Sequence, residues 1–387
     1  MELMTVLEPE ESPQKATWYA LVPRGENPGV RVGHTLAYIP DTSGKGKIII
    51  VGGANPNGSF PDAHILELDT HEWDVPEWKG LLPRYEHSSF VPVSKPGGLW
   101  LFGGADECAN RNCVQVLNFE TGVWRSPAVN GTPPTPRTCH CSTAAIGDCL
   151  YVFGGGDKGA EPVQDPQLHA FDKATLSWSQ RSTEGRPPAP RHGHVMVAIG
   201  SKLFIHGGLA GDKFFNDMYA IDTAAVIMKW KKVTMKGDIP GGCAAHSAIS
   251  HGKYIFIFGG MDITGARNSM YKYHIDKYCW TLLKFDSSLP PRRLDHAMCI
   301  IPWKMRASKT CPPAATDGGK QSANGNTPKE YQESNQQSQN DGNLTLRNCS
   351  LLQNQTESIV HLCLIFGGMD TQGQIYNDCF VTLVDGC

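Results

Sequence analysis

The chain has 387 residues with 41 Gly and 27 Pro but only 19% charged side chains, a composition that suits many short strands and tight turns and argues against a helical bundle. A formal charge of -3 leaves no electrostatic footprint for phosphate backbones or anionic lipid, which sets nucleic acid aside as a partner. No apolar run reaches the roughly 18 residues of a spanning helix, and the 13 Cys form no CxxC pairs, so the thiols read as reduced and cytoplasmic.

Taken in chain order, residues 1–15 carry Glu2, Glu8, Glu10 and Glu11 without an apolar core and are expected to be a disordered tail, not a targeting peptide. Residues 16–22, around Trp18, read as a strand. From there the sequence repeats itself. Apolar strand-like runs end in Gly pairs at Gly52-Gly53, Gly103-Gly104, Gly154-Gly155, Gly207-Gly208, Gly259-Gly260 and Gly367-Gly368, and the first five lie 51, 51, 53 and 52 residues apart. Ahead of each pair an Arg precedes a His by three residues: Arg31/His34, Arg84/His87, Arg137/His140, Arg191/His194 and Arg293/His296, with Cys243 in place of Arg before His246. Behind five pairs stand Trp73, Trp124, Trp178, Trp230 and Trp280, following the second Gly by 20, 20, 23, 22 and 20 residues.

A fixed period near 50 residues with four strand segments per unit is the signature of a propeller blade. Each part of the motif has a physical reason. A Gly pair lets the backbone turn where a Cβ would clash, and a Trp supplies a large apolar body to pack between blades. The recurring Arg and His read as structural hydrogen-bonding groups, since a single catalytic centre would not be repeated six times. The sixth unit ends before any Trp, so Trp18 is expected to supply its outermost strand and close the ring. The 108 residues from Gly259 to Gly367 hold an extra polar stretch, 304–358, expected to be a disordered insertion between the first and second strands of blade six.

These marks make the chain resemble the kelch-repeat family over residues 18–387. The resemblance implies an all-β, six-bladed kelch propeller over 16–387, closed by the N-terminal strand. Strand alternation then places the loops after each Gly pair and the Pro-rich segments before each Arg on one face, away from the insertion. Apolar loop tips on that face are candidate partner anchors: Phe60, Phe214, Phe215 beside Lys213, Ile375 and Tyr376.

Kelch propellers serve many functions, so the site must decide. Glu161, Asp165 and His169, at four-residue intervals, resemble the iron-binding motif of kelch specifier proteins, yet Asp165 matches Asp62, Asp217 and Asp378 in other units. No metal, cofactor or catalytic residue is therefore assigned. A ubiquitin-ligase substrate receptor would need a recruiting domain ahead of the propeller, and 17 residues precede Trp18. Segments such as 15–19 (KATWY), 51–57 (VGGANPN), 80–87 (GLLPRYEH) and 203–212 (LFIHGGLAGD) are similar to the kelch-motif Rab effectors. That resemblance implies a monomeric, non-catalytic scaffold binding the GTP form of a late-endosomal Rab GTPase and supporting endosome to trans-Golgi network transport. It also implies attachment to endosomal membranes through partners, a phosphoinositide kinase among them.

Overall fold

The structure is a computed structural model that describes residues 4–41, 45–94, 97–138, 144–158, 161–305 and 358–385. The chain divides into two units, 1–305 with 359–387, and 306–358; the described residues fall almost wholly in the first. Among them there is no helix. The expected disorder of the insertion, and His140, lie outside the described residues.

The first unit is six blades of antiparallel strands. Blade one runs Thr35–Ile39, Lys47–Val51, Ala63–Glu67 and Glu72–Asp74. Blades two to five follow the same order, beginning at Ser88–Phe90, Ala145–Ile146, Val195–Ile199 and Ser247–His251. Blade six takes Ala297–Met305, Ser358–Phe366 and Cys379–Leu383 from the end of the chain and Trp18–Ala20 from its beginning. Trp18 pairs antiparallel with Thr382 and Ala20 with Phe380, so the N-terminal strand completes the last sheet as expected. The strands on either side of the insertion reach Met305 and start at Ser358.

Each middle strand is buried on both faces, and its alternating residues serve two different neighbours. Ile48 and Ile50 join a cluster shared with blade six, whereas Ile49 and Val51 join one shared with blade two. Six such clusters fill the six junctions, and each holds one Trp of the motif: Trp73, Trp124, Trp178, Trp230, Trp280 and Trp18. The indoles lie against the residue that precedes the neighbouring Gly pair, as in Phe102–Trp178 at 4.6 Å, Phe153–Trp230 at 5.3 Å and Trp18–Phe258 at 5.2 Å.

A hydrogen bond repeated around the ring explains the Gly pairs. The N–H of the second Gly donates to the carbonyl of the next blade's Arg, or of Cys243: Gly53 to Arg84, Gly104 to Arg137, Gly155 to Arg191, Gly208 to Cys243, Gly260 to Arg293 and Gly368 back to Arg31, at 2.8–3.1 Å. The return to Arg31 closes a circle of six. Gly52 has φ +60°, and a Cβ there would stand 2.5 Å from the Arg84 carbonyl oxygen, so no other residue fits without moving the neighbouring blade.

Residues 4–15 correct the expectation of a disordered tail. Leu7 is 2% exposed and packs with Tyr19, Leu21 and Trp303, while its N–H donates to Ala20 and the Trp303 indole donates to the Glu11 carbonyl at 2.8 Å. The burial of Leu7, with the parallel bridge between Val6 and Ala20, lays the segment along the closing strand.

Candidate protein-docking face

Five arginines, Arg31, Arg84, Arg137, Arg191 and Arg293, are 0–1% exposed. A buried guanidinium must have its donors met, and the repeat supplies the partners. Nη1 donates to the carbonyl of the first Gly of its blade at 2.9–3.1 Å. Carboxylates of Asp62, Asp165, Asp217 and Asp378 accept from four of them. In blade two Cys113 stands at that position, and Gln115 Oε1 accepts from Arg84 instead at 2.8 Å. Burial alone would raise Asp62, but hydrogen bonds from His64 and Arg31 outweigh it and hold the carboxyl at about 2.

Aromatic rings cover three of these guanidinium groups. Phe60 lies 4.4 Å from Arg31, Phe215 3.9 Å from Arg191 and Tyr376 4.6 Å from Arg293, distances at which a cation is attracted to a ring face. All three occupy one position of the repeat, whose N–H donates to the carbonyl of the second Gly at 2.8 Å. Arg111 and Arg267 fill that position in blades two and five and pair with Asp106 and Asp262.

The loops expected on one face do meet there. Bridges join the segment before each first strand to the hairpin after the Gly pair: Val32–Ala54, Tyr85–Ala105, Thr138–Gly156, His192–Leu209, Ala244–Met261 and Leu294–Met369. Of the candidate anchors, Lys213 is exposed and Phe60, Phe214, Ile375 and Tyr376 are half-buried. Phe215 is 7% exposed, a correction to its expected place on an open tip. Its ring points down onto Arg191, because a two-residue hairpin strand, Lys213–Phe214, hands it to the lid position.

An exposed apolar tip that sequence reasoning missed, and so a further candidate anchor, is Ile263, 89% exposed at the turn between Met261–Asp262 and Gly265–Ala266. The turn is rigid. Asp262 accepts from the Thr264 N–H at 2.7 Å, the Thr264 hydroxyl at 2.6 Å and Arg267 Nε at 2.8 Å. The available signal was an apolar residue inside the turn sequence Met261 to Gly265. The residue that follows the Gly pair is also larger on this side: Leu209, Met261 and Met369, all half-buried, in blades four to six, against Ala54 and the buried Ala105 and Gly156 in blades one to three.

The residues of the iron-like motif are placed otherwise than as a ligand set. Asp165 accepts from Arg137 at 3.2 Å and stands 2.6 Å from His169, repeating the Arg31–Asp62–His64 arrangement. Glu161 is exposed in the hairpin strand Glu161–Pro162.

A family model described as the KLHDC2/KLHL20/DRC7 Kelch-repeats domain matches residues 33–180 and 99–307. Over 388 residues the chain is 51% identical to the Rab9 effector protein with kelch motifs of Rattus norvegicus, covering 100% of both chains. Identity to the protein of the same name is 52% over 387 residues in Homo sapiens, again with 100% of both chains covered. In Danio rerio it is 47% over 396 residues, covering 99% of this chain and 100% of the relative. The buried arginines, the Gly-pair hydrogen bonds and this end-to-end similarity agree: the chain belongs to the kelch-repeat propeller family, in the branch formed by these relatives.

Proposed function

We propose that the chain is a non-catalytic, monomeric scaffold that binds the GTP form of a late-endosomal, Rab9-type GTPase and supports endosome to trans-Golgi network transport. It would work in the cytoplasm, held at endosomal membranes through partners that include a phosphoinositide kinase. The observation that carries this reading is the similarity along the whole chain to relatives named as Rab9 effectors. The geometry adds a surface suited to the task. Leu209, Phe214, Met261, Ile263, Met369 and Ile375 form an apolar arc across blades four to six; Phe60 in blade one adjoins it through the ring closure. Rigid apolar projections bind with little further loss of entropy, and a desolvated apolar centre is what carries most interface energy.

The test is binding of purified chain to immobilised Rab9 loaded with GTP or GDP. Ile263→Asp, and separately Phe214→Ala, are expected to weaken GTP-form binding at least about tenfold, the effect of roughly 1.4 kcal/mol at a buried contact. Equal binding of the two nucleotide forms overturns the effector reading, and full binding by both variants overturns the assignment of the arc.

A further inference from the structure

Two departures from the repeat meet at one junction. Cys243 stands where five blades have a buried Arg, and His206 precedes the Gly pair where blades two, three, five and six have Phe102, Phe153, Phe258 and Phe366. The ordinary histidine of blade five, His246, therefore faces an imidazole in place of a phenyl ring, with centroids 5.2 Å apart at 89°. Nδ1 of His206 is 3.2 Å from Nε2 of His246, and Sγ of Cys243 is 3.6 Å from Nδ1 of His246. His206, Cys243 and His246 are 1%, 2% and 5% exposed. Among the described residues, Nε2 of His206 has no hydrogen-bond partner. Either departure alone would leave a Phe or an Arg at the junction; only the pair assembles two imidazoles and a thiol.

We propose that His206, Cys243 and His246 form a buried site for a thiophilic transition-metal ion of the Zn2+ class. One ligand atom from each lies within 4.8 Å of the others. Taken singly, the 3.2 Å N–N and 3.6 Å S–N separations are each close to one edge of a tetrahedron built on Zn–N near 2.0–2.1 Å and Zn–S near 2.3 Å, roughly 3.3–3.6 Å. Both edges end on His246, at different ring nitrogens, so coordination takes one side-chain rotation, either the thiol toward Nε2 or His206 toward Nδ1. Thiolate with imidazole is the donor set that selects zinc or copper over magnesium or calcium. Burial keeps His206 neutral, at about 3, and pushes the Cys243 thiol up to about 12, so binding breaks the S–H bond, forms the metal–sulfur bond and releases one proton to solvent. His246 also lines the axial cavity of about 90 Å³. Without an ion the same atoms make a neutral chain in which the thiol donates to one imidazole and that imidazole to the next.

The experiment uses the full chain without an affinity tag, purified or refolded with Zn2+ or Co2+, and measures bound metal by mass spectrometry. The Co2+ form is examined for its thiolate-to-metal charge-transfer band. About one equivalent and a clear band are expected, with at least a tenfold loss of affinity in Cys243→Ser and in His206→Phe, and a Zn2+-dependent rise in Tm for the parent chain alone. His206→Phe restores the residue of the other blades, so its fold, checked by near-ultraviolet circular dichroism, is expected to be intact. A parent chain that takes up under a tenth of an equivalent and shows no band overturns the proposal and leaves the neutral chain. Metal uptake that survives Cys243→Ser undiminished also overturns it, placing the ion elsewhere: at another cysteine if the band persists, or, without a band, at a sulfur-free group such as His251, His361 and Asp385, the other such group among the described residues.

Discussion

At the residue scale, a guanidinium sealed between blades is held by groups that cannot be removed singly. Arg191 donates to Gly207 at 2.9 Å, to Asp217 at 2.7 Å and through Nε to Ala189 at 3.0 Å. Asp217 is itself largely covered, so Arg191→Met strands the Gly207 and Ala189 carbonyls and leaves the carboxylate with the exposed Lys232 at 3.9 Å. The expected loss is about 3–5 kcal/mol in chemical denaturation. Phe215→Ala uncovers the same guanidinium and opens a cavity, an expected loss of about 3–5 kcal/mol. Ile263→Asp touches neither core nor network and is expected to stay within about 0.5 kcal/mol of the parent chain. Denaturation of the three variants side by side separates the lid, expected to act on stability, from the exposed tip, proposed to act on binding. If Phe215→Ala is as stable as the parent, the ring is not a lid, and its original reading as an anchor returns.

At the scale of elements, the closing strand is short but occupies a junction that nothing else can fill. Trp18 is 0% exposed and lies 5.2 Å from Phe258 and 5.6 Å from Phe285. Trp18→Ala is expected to cost about 3–5 kcal/mol. Deletion of residues 1–21 leaves the edge of Cys379–Leu383 unpaired, and broad, non-cooperative unfolding with concentration-dependent aggregation is the expected outcome, measured by calorimetry and light scattering. Sharp two-state unfolding of the deleted chain would mean that the ring does not depend on this strand. The strand was readable in the sequence because Trp18 was the one Trp of the motif without a blade and blade six the one blade without a Trp after its Gly pair. The packing of Leu7 was not, since Leu3, Met4, Val6 and Leu7 show no regular alternation and are followed by glutamates and prolines. Parallel pairings outside the blades, such as Arg24–Gly25 with Glu72 and Trp73, were equally silent, being two residues long. The docking face was legible in outline from the equivalent loops, whereas which tips are lids and which are exposed depended on hairpin geometry. Phe215, read as a tip, is a lid, and Ile263, not singled out from the sequence, is the exposed tip. The junction of blades four and five was visible only in half: the missing Arg at Cys243 could be seen, but not that His206 lies opposite it.

At the scale of the whole molecule, the ring has a characteristic response to pH. Burial lowers His34 and His206 to about 3 and His246 and His296 well below 6.5, and the charge of Arg31, Arg191 or Arg293 adds to this at His34, His206 and His296. The unfolded chain protonates these groups near 6.5 and the folded chain does not, so their contribution is present above 6.5 and is lost as pH falls toward the folded values. Each histidine contributes a slope of about 1.4 kcal/mol per pH unit below 6.5, and four together about 5 kcal/mol per unit. Asp295 acts in the opposite direction. It lines the axial cavity at φ 52°, in a ring of backbone bonds in which Gly33 donates to Asp295 and Asp295 to Ala245, both at 3.0 Å. Burial, with the charge of Glu86 added, raises its carboxyl to about 8. Its contribution is complete below 3.8 and is lost as pH rises through 8. Asp62, at about 2, acts only at still lower pH. Between 6.5 and 8 Asp295 therefore acts alone among these groups, and Tm is expected to peak near pH 6.5, falling steeply on the acid side and gently on the alkaline side. Asn tolerates the same positive φ, so Asp295→Asn is expected to flatten the decline from pH 6.5 to 8 and, because Asp295 opposes the histidines down to 3.8, to steepen the acid limb by about 1.4 kcal/mol per pH unit. A parent chain with constant Tm from pH 5 to 6.5 would show that the buried imidazoles titrate in the folded ring. An unchanged alkaline limb in Asp295→Asn would show that the axial carboxyl is already ionised at neutral pH.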